Sequence, residues 1–207
     1  MIAELNLRFT KRLSGEQPCI DKTFVYGDGC GQNPPLMLIG EAPGKDEVMQ
    51  KRPFVGKAGK NLDEFLRTLE IFRDSIYISN AVKIRPTKLG KTGRESNRPP
   101  TNLEIELFTP WLIEEINCFK PHLLVTLGNT PLRVLIGKHA NIGDFHGRIT
   151  DTSLGIQLYP LYHPAAVIYN RSLMDVYQQD LLRLKDILPR FLMEKGHRNN
   201  ISNGFSG

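Results

Sequence analysis

The amino-acid sequence predicts an α/β fold, a three-layer α/β/α sandwich around a central four-stranded, mostly parallel sheet. Three observations predict it: four apolar runs of strand length, amphipathic helical patterns between them, and no repeat or change of composition along 207 residues. Strands that alternate with helices form βαβ units, whose parallel sheet is covered on both faces by helices. The four runs span residues 36–39, 76–79, 123–127 and 156–161.

The predicted helices follow the strands in order. The first, AGKNLDEFLRTLEI, repeats apolar residues at positions 62, 65, 66 and 69, which lie on one helical face. The second, TNLEIELFTPWLIEEINCF, opens with a Thr101-x-x-Glu104 capping box, a start signal for a helix. TPLRVLIG follows the third strand, and SLMDVYQQDLLRLKDIL is expected to begin at a Ser172 cap.

Length and composition predict one domain over residues 1–194, followed by a disordered tail at 195–207 that has no periodicity. The apolar runs are too short to cross a membrane, and the first residues lack the apolar core of a secretory leader. We therefore expect a cytoplasmic protein without a membrane partner. The three cysteines have no CxxC spacing, so neither a disulfide framework nor a metal site is indicated.

Polar side chains follow each predicted strand. Glu41 comes after the first, Asn80 after the second, Asn129 after the third and His163 after the fourth. Ligands of parallel sheets bind outside the carboxyl ends of the strands, so these residues are expected to share one site. Singly, each has a structural explanation, since Glu41 and Asn80 can cap the next element and a lone histidine often has a structural role.

An aromatic residue and a basic stretch lie near these strand ends. Phe54 stands between a proline and a glycine just before a helix, where it is either a core residue or a floor on which a planar base stacks. The segment VKIRPTKLGKTGRESNRPP carries six cations and, with a formal net charge of +5 for the chain, favours a polyanionic partner. A solvated loop explains the same stretch equally well.

Five motifs in order then carry a family resemblance: GEAPGKDE, RPFVGKAG, YISNAVKIRP, VTLGNTPLRVLIG and YHPAAVIYN. Together they resemble the uracil-DNA glycosylase superfamily, most closely its bacterial and archaeal family 4, over roughly residues 25–190. The resemblance implies a monomeric enzyme that flips a deaminated base out of single- or double-stranded DNA. It then hydrolyses the N-glycosidic bond of uracil and thereby initiates base-excision repair.

The resemblance also implies roles for the base pocket. Phe54 would stack on uracil, Asn80 would read its Watson–Crick edge, and His163 would stabilise the anion that develops at O2. Glu41 would orient water or stabilise the sugar cation, although bonding the turn's backbone explains it equally. Because Gly44 has no side chain to exclude the thymine methyl group, Glu47, one turn further on, is the candidate for that role. The rigid turn around the base consists of Gly40, Ala42, Pro43 and Gly44.

For DNA contacts, the basic stretch supplies Lys83 and Arg85 as candidates for phosphate binding, and the resemblance adds Arg171. It also implies that the loop after His163 fills the gap left by the flipped base. Val167, Ile168 or Tyr169 would be the wedge, and a core position for Ile168 is as consistent with the sequence.

The sequence departs from family 4 where that family holds a [4Fe–4S] cluster with four cysteines. Ile84 and Phe108 stand at two ligand positions, and three dispersed cysteines cannot supply four thiolates. We therefore expect no metal and no cofactor. Ala42 also stands where other branches have a water-orienting aspartate. Because no lysine is convincingly placed at the strand ends, direct hydrolysis is expected rather than a Schiff base.

Two alternatives remain open from the sequence. The chain is an active uracil-DNA glycosylase, or a divergent relative that binds nucleic acid without activity or removes another deaminated base. An unrelated nucleotide-binding α/β domain is disfavoured because GxGxxG and GxxxxGK[ST] are absent from the sequence.

Overall fold

The computed structural model describes residues 1–91 and 93–192, without the side chains of Ile168 and Tyr169. The predicted tail at 195–207 lies outside the described residues. Within them the fold is the predicted α/β/α sandwich. Its strands are β1 Asp28–Gly29, β2 Leu36–Gly40, β3 Tyr77–Asn80, β4 Thr87–Leu89, β5 Glu95–Asn97, β6 Leu123–Leu127, β7 Thr150–Asp151 and β8 Gln157–Leu161.

The main sheet has the order β1-β3-β2-β6-β8-β7. The four predicted strands, β2, β3, β6 and β8, form its parallel centre. β1 and β7 extend the two edges with antiparallel pairs of two residues each. Such short strands carry no readable alternation, which is why the sequence did not predict them.

Helices cover both faces of this sheet. They are α1 Ile2–Leu13, α2 Lys45–Gln50, α3 Lys57–Thr68, α4 Asn102–Phe119, α5 Asn129–Ile136, α6 Ile142–Phe145, α7 Pro164–Tyr169, α8 Met174–Ile187 and α9 Pro189–Leu192. The predicted capping box of α4 is confirmed, since Thr101 Oγ1 accepts from Glu104 N and Glu104 Oε2 accepts from Thr101 N. The last predicted helix corresponds to α8. A 3₁₀ turn capped by Asn170 precedes it, so the expected Ser172 cap is wrong.

The central strands are buried on both faces because successive side chains point to opposite sides of a sheet. Leu36 and Leu38 pack with α3 and α8, whereas Met37 and Ile39 pack with α4 and α5. This double burial explains why the strands read as continuous apolar runs rather than as alternating ones.

A third apolar cluster lies between α1, α4 and the segment after β3. Phe9 of α1 stacks on Trp111 of α4 with ring centroids 5.2 Å apart, and Val82 and Ile84 join them. The sequence had not predicted α1. Its charged residues obscure an apolar face that only α4 and residues 82–84 complete.

β4 and β5 form a separate two-stranded antiparallel hairpin that projects from the body. The sequence indicated a loop here, because Gly90 and Gly93 interrupt a run of cations. No helix in the described part of the chain is long and apolar enough to cross a membrane.

Candidate active site

A cavity of about 420 Å³ opens at the carboxyl ends of the parallel strands. Seven residues predicted from the sequence line it: Glu41, Ala42, Gly44, Glu47, Phe54, Asn80 and His163. Five of them lie at or just after the ends of β2, β3 and β8, which the parallel register brings to the same side of the sheet, while Glu47 comes from α2 and Phe54 from the loop before α3. Three of the four predicted strand-end residues therefore share one cavity, with Gly40 and Pro43 buried behind its wall. The fourth, Asn129, lies outside the lining of this cavity and accepts from Ile142 N at 2.8 Å instead.

Glu47 fastens the two loops that frame the cavity. Its Oε2 accepts from Gly44 N at 3.0 Å, and its Oε1 accepts from Gly56 N at 2.9 Å and Val55 N at 3.2 Å. The carboxylate is nearly buried and bonds three backbone donors, each a charge-assisted hydrogen bond. Glu47 thus holds the first loop against the segment that begins α3, a role the sequence did not indicate.

Phe54 lies on the cavity wall in a backbone conformation that few side chains adopt. Its φ is 53°, in the left-handed region, and its ring is almost fully buried. A Cβ at position 40 would overlap both this ring and the Asn80 amide, so Gly40 lets the ring lie directly against β2. The strained backbone is held in place by packing, as is common at binding sites.

Asn80 ends β3 opposite Gly40, and only 3% of its surface is exposed. Within the described residues its side-chain amide makes no hydrogen bond to protein, although it borders the cavity. A nearly buried amide needs partners, because an unpaired polar group is costly away from water. A ligand with one donor and one acceptor side by side would supply them.

Lys83 does not lie on the DNA-facing surface that the sequence predicted for it. Its side chain is completely buried, and Nζ donates to Glu115 at 2.5 Å, to Ser79 Oγ at 2.6 Å and to the Asn80 carbonyl at 2.8 Å. Burial lowers the pKa of Lys83, an effect opposed by the Glu115 carboxylate. The prediction of phosphate binding by Lys83 is wrong, because its donors are used to hold the end of β3.

His163 precedes α7 and caps it through its ring. Nδ1 lies 3.2 Å from the backbone N–H of Ala165 and accepts from it, so Nδ1 carries no proton. Burial lowers the pKa of His163, with a smaller opposing effect from Glu41. The imidazole is therefore held neutral with its proton on Nε2, which leaves that atom as a hydrogen-bond donor.

Glu41 is positioned by a residue that the sequence reasoning missed. Thr130, in the first turn of α5, donates from Oγ1 to Glu41 Oε2 at 2.6 Å. The backbone of Glu41 is fixed as well, since its carbonyl accepts from Val82 N at 3.0 Å. Thr130 directly follows Asn129, the residue after the third predicted strand, so its place near the site could be read from the sequence.

Further lining residues were also missed. Lys45 and Lys57 stand at the first positions of α2 and α3, while Asn61 and Asn97 contribute amides. The two lysines could have been predicted from the sequence, because a cation beside a strand-end loop suits an anionic ligand. Asn97 has none, since it comes from the projecting hairpin.

Of the predicted DNA-binding residues, Arg85 and Arg171 remain at the surface, whereas Lys83 and Val167 are buried. Arg171 is exposed, and Arg85 is half-exposed with Nε donating to Asn97 Oδ1 at 2.7 Å. Val167 is buried in the core beneath α3 and α8, so its prediction as a wedge is wrong. The side chain of Ile168 lies outside the described residues.

The iron–sulfur ligand positions implied by the family resemblance do not fit a cluster. Ile84 and Phe108 are fully buried in the third apolar cluster, where Cys19 is the single buried thiol. Burial raises the pKa of Cys19 to about 11, which disfavours the thiolate that iron requires. Within residues 1–91 and 93–192, no group of three or more His, Cys, Asp or Glu side chains is arranged to hold a metal.

Comparison with known proteins gives consistent matches. A family model for the uracil DNA glycosylase superfamily matches residues 26–184. The type-4 uracil-DNA glycosylase of Saccharolobus solfataricus is 32% identical over 201 residues, 90% of this chain and 89% of that protein. The type-4 uracil-DNA glycosylase of Pyrobaculum aerophilum is 37% identical over 155 residues, 70% of this chain and 74% of that protein. The crystal structure of wild-type Pedobacter heparinus SMUG2 aligns over 81% of this chain and 77% of that one, with a TM-score of 0.49 and 13% identity.

Proposed function

Since the chain belongs to the uracil-DNA glycosylase superfamily and is a glycosylase-like enzyme of that kind, we propose that it hydrolyses the N-glycosidic bond of uracil flipped out of DNA. It acts as a monofunctional enzyme and thereby initiates base-excision repair. The observation that supports this most is one cavity that joins an unpaired amide, an aromatic ring and a neutral imidazole donor. These are the groups that recognition and release of a uracil ring require.

Recognition of the base rests on Phe54 and Asn80. The ring of Phe54 offers a stacking surface, which is worth about 1–3 kcal/mol per base. The Asn80 amide accepts from uracil N3–H with its oxygen and donates to O4 with its nitrogen. Cytosine presents the opposite polarity at both positions, so the amide distinguishes the two bases only if it cannot turn over. The Lys83 contact behind Asn80 fixes the position of its backbone carbonyl.

Bond cleavage rests on His163. As the C1′–N1 bond breaks, its electron pair passes into the uracil ring and negative charge develops at O2. The neutral imidazole donates from Nε2 to this oxygen. A preorganised donor in such a site is worth about 3–4 kcal/mol in the transition state. A donor that starts neutral adds no buried positive charge to the empty site.

Glu41 acts on the attacking water and on the deoxyribose. Thr130 occupies Oε2, so Oε1 is the oxygen that faces the cavity and orients a water molecule toward C1′. The water oxygen forms the new bond to C1′, and its proton leaves through the carboxylate. The negative charge of Glu41 also stabilises the cationic sugar that forms as uracil departs.

We further propose that the enzyme works without an iron–sulfur cluster and without a Schiff base. The apolar cluster of α1, α4 and residues 82–84 fills the region where family ligands would stand. Lys83 is tied to Glu115 and cannot serve as a nucleophile. Anaerobically purified protein is expected to be colourless and free of iron, and borohydride is expected to trap no covalent adduct with DNA. Bound iron or a trapped adduct would contradict these two statements.

The direct test is incubation with single- and double-stranded oligonucleotides that contain uracil, hypoxanthine or xanthine, followed by alkaline cleavage. Cleavage at uracil is expected, and intact uracil in every context would refute the proposal. Release of hypoxanthine or xanthine alone would indicate a glycosylase for another base. Asn80→Asp is the matched variant, because the carboxylate keeps the shape of the amide and loses its donor. It is expected to impair uracil release.

A further inference from the structure

The β4–β5 hairpin has little core of its own. All six residues of its two strands are at least partly exposed, and an isolated two-stranded hairpin is marginally stable in water. Its order is imposed at the root. Arg98 donates to the Thr87 carbonyl at 3.0 Å and binds both carboxylate oxygens of Glu104 at 2.6 and 2.8 Å. The root is thus anchored to α4, while the turn extends into solvent.

Positive charge is concentrated at the free end of this hairpin. Lys91 and Arg94 stand between the two strands, Lys88 is the middle residue of β4, and all three are exposed. The one carboxylate on the strands, Glu95, accepts from Thr87 Oγ1 and lies 4.0 Å from Lys22 Nζ. Among the described residues none of the three cations forms an ion pair, so together they give the hairpin a positive tip.

The root of the hairpin is also part of the cavity wall. Asn97 lines the cavity and pairs in register with Thr87. Leu89, two residues along the same strand face, lies about 7 Å further out at the ordinary rise of a strand. It is 73% exposed, unlike most apolar side chains of this size. An apolar residue followed by cations thus leads away from the cavity mouth.

We propose that this hairpin is a DNA-binding arm that grips the strand beside the flipped nucleotide. Its three tip cations contact phosphates, and Leu89 packs on deoxyribose between the cavity and those phosphates. The inference rests on the proposed function, since it assumes that a nucleotide occupies the cavity. It also gives the hairpin a stabilising surface that it lacks in the free protein.

The test is the salt dependence of binding to a duplex of two helical turns that contains no uracil. Each lost phosphate contact lowers the slope of log K against log salt by about 0.9, so Lys88→Gln/Lys91→Gln/Arg94→Gln is expected to lower it by about 2.7. The matched control is Arg67→Gln/Lys120→Gln/Lys185→Gln, which removes the same charge. These residues lie toward the opposite end of the parallel strands, in the last turn of α3, just after α4 and late in α8. The control is expected to keep the wild-type slope, and an equal slope in both triple variants would overturn the proposal.

Leu89→Ser provides a second measurement of a different kind. It is expected to weaken duplex binding without changing the salt slope, because an apolar contact releases no counterion. Unchanged affinity for the duplex would show that Leu89 does not contact DNA.

Activity assays separate the failure of this proposal from the failure of the proposed function. On a uracil trinucleotide, too short to reach the tip, the hairpin triple variant is expected to match the wild type. On the long duplex its kcat/KM is expected to fall, with the single-turnover rate at saturating DNA unchanged. If the wild type releases no uracil at all, the proposed function fails, while the salt slopes still decide whether the hairpin binds DNA.

Discussion

Replacing Lys83 with methionine tests the buried network behind the base pocket. Methionine keeps most of the length and apolar volume of the lysine stem and removes only the ammonium. The change leaves Glu115 buried with its charge uncompensated, and it leaves the Asn80 carbonyl without the donor at 2.8 Å. Tyr77 and Ser79 still donate to Glu115, at 2.8 and 3.0 Å, but neither neutralises it.

Removing one partner of a buried ion pair costs about 3–5 kcal/mol, because the remaining charge has lost its compensation in a medium of low polarity. The free energy of unfolding of a domain this size is about 5–15 kcal/mol, so this single change removes a large part of it. Neutralising the other partner as well reverses most of the loss. In Lys83→Met/Glu115→Gln the amide oxygen can still accept from Tyr77 and Ser79, and no charge is left buried.

The assay is urea unfolding of the wild type, both single variants and the double variant. With a slope of about 2 kcal/mol per molar urea, the Lys83→Met midpoint is expected to fall by about 2 M. The double variant is expected to unfold at a higher urea concentration than Lys83→Met, so that its loss of stability is much smaller than the sum of the two single losses. At low urea, where Lys83→Met remains folded, uracil release is also expected to slow, because Nζ no longer holds the end of β3.

The reasoning is refuted if Lys83→Met costs less than about 1 kcal/mol, the range of an exposed ion pair. It is equally refuted if the losses of the two single variants simply add in the double variant, because independent sites show no coupling.

Four further outcomes follow from the site and from the third apolar cluster. Gly40→Ala is expected to abolish uracil release while far-UV circular dichroism stays unchanged, because its methyl group would displace the aromatic ring and amide of the pocket; retained activity would contradict this. Because the pKa of His163 in the folded protein lies below its ordinary value of about 6.5, the unfolded chain binds more protons between these two pH values. The free energy of unfolding is therefore expected to fall as the pH drops from about 6.5 through the folded-state pKa. In Glu41→Gln the histidine pKa measured by NMR is expected to fall further, since the carboxylate raises it, and a rise would be inconsistent with the geometry. Cys19, whose pKa is raised to about 11 by burial, is expected to react with Ellman's reagent at pH 8 only after unfolding, and rapid labelling in the native protein would show that the third apolar cluster is open.

Much of the site was predictable because a parallel sheet converts sequence order into position. Apolar runs marked the strands, since both faces of each are buried, and the residue after each run had to lie at the same edge. Glu41, Asn80 and His163 were found in this way and do line one cavity. The capping box at Thr101 and Glu104 was readable for a similar reason, because both halves of the interaction lie within one helical turn.

The expected Ser172 cap was a local error, because Asn170 two residues earlier caps a 3₁₀ turn instead, but the other errors concern contacts between separate elements. Lys83 resembled a surface cation because its partner, Glu115, lies 32 residues away on another helix. Val167 resembled a wedge because the helices that bury it, α3 and α8, come from both sides of it in sequence. Glu47 gave no sign that it joins two loops.

By itself, then, the sequence determined the α/β class, which residue follows each central strand, and the types of chemical group that meet at the strand ends. These depend on local periodicity and on the fixed direction of parallel strands. Only the tertiary structure decided which cations are buried and which are exposed, which ring nitrogen of His163 carries the proton, and that a hairpin lies beside the cavity. Burial and hydrogen bonding depend on atoms brought together from distant parts of the chain, and one side chain's identity does not specify its neighbours.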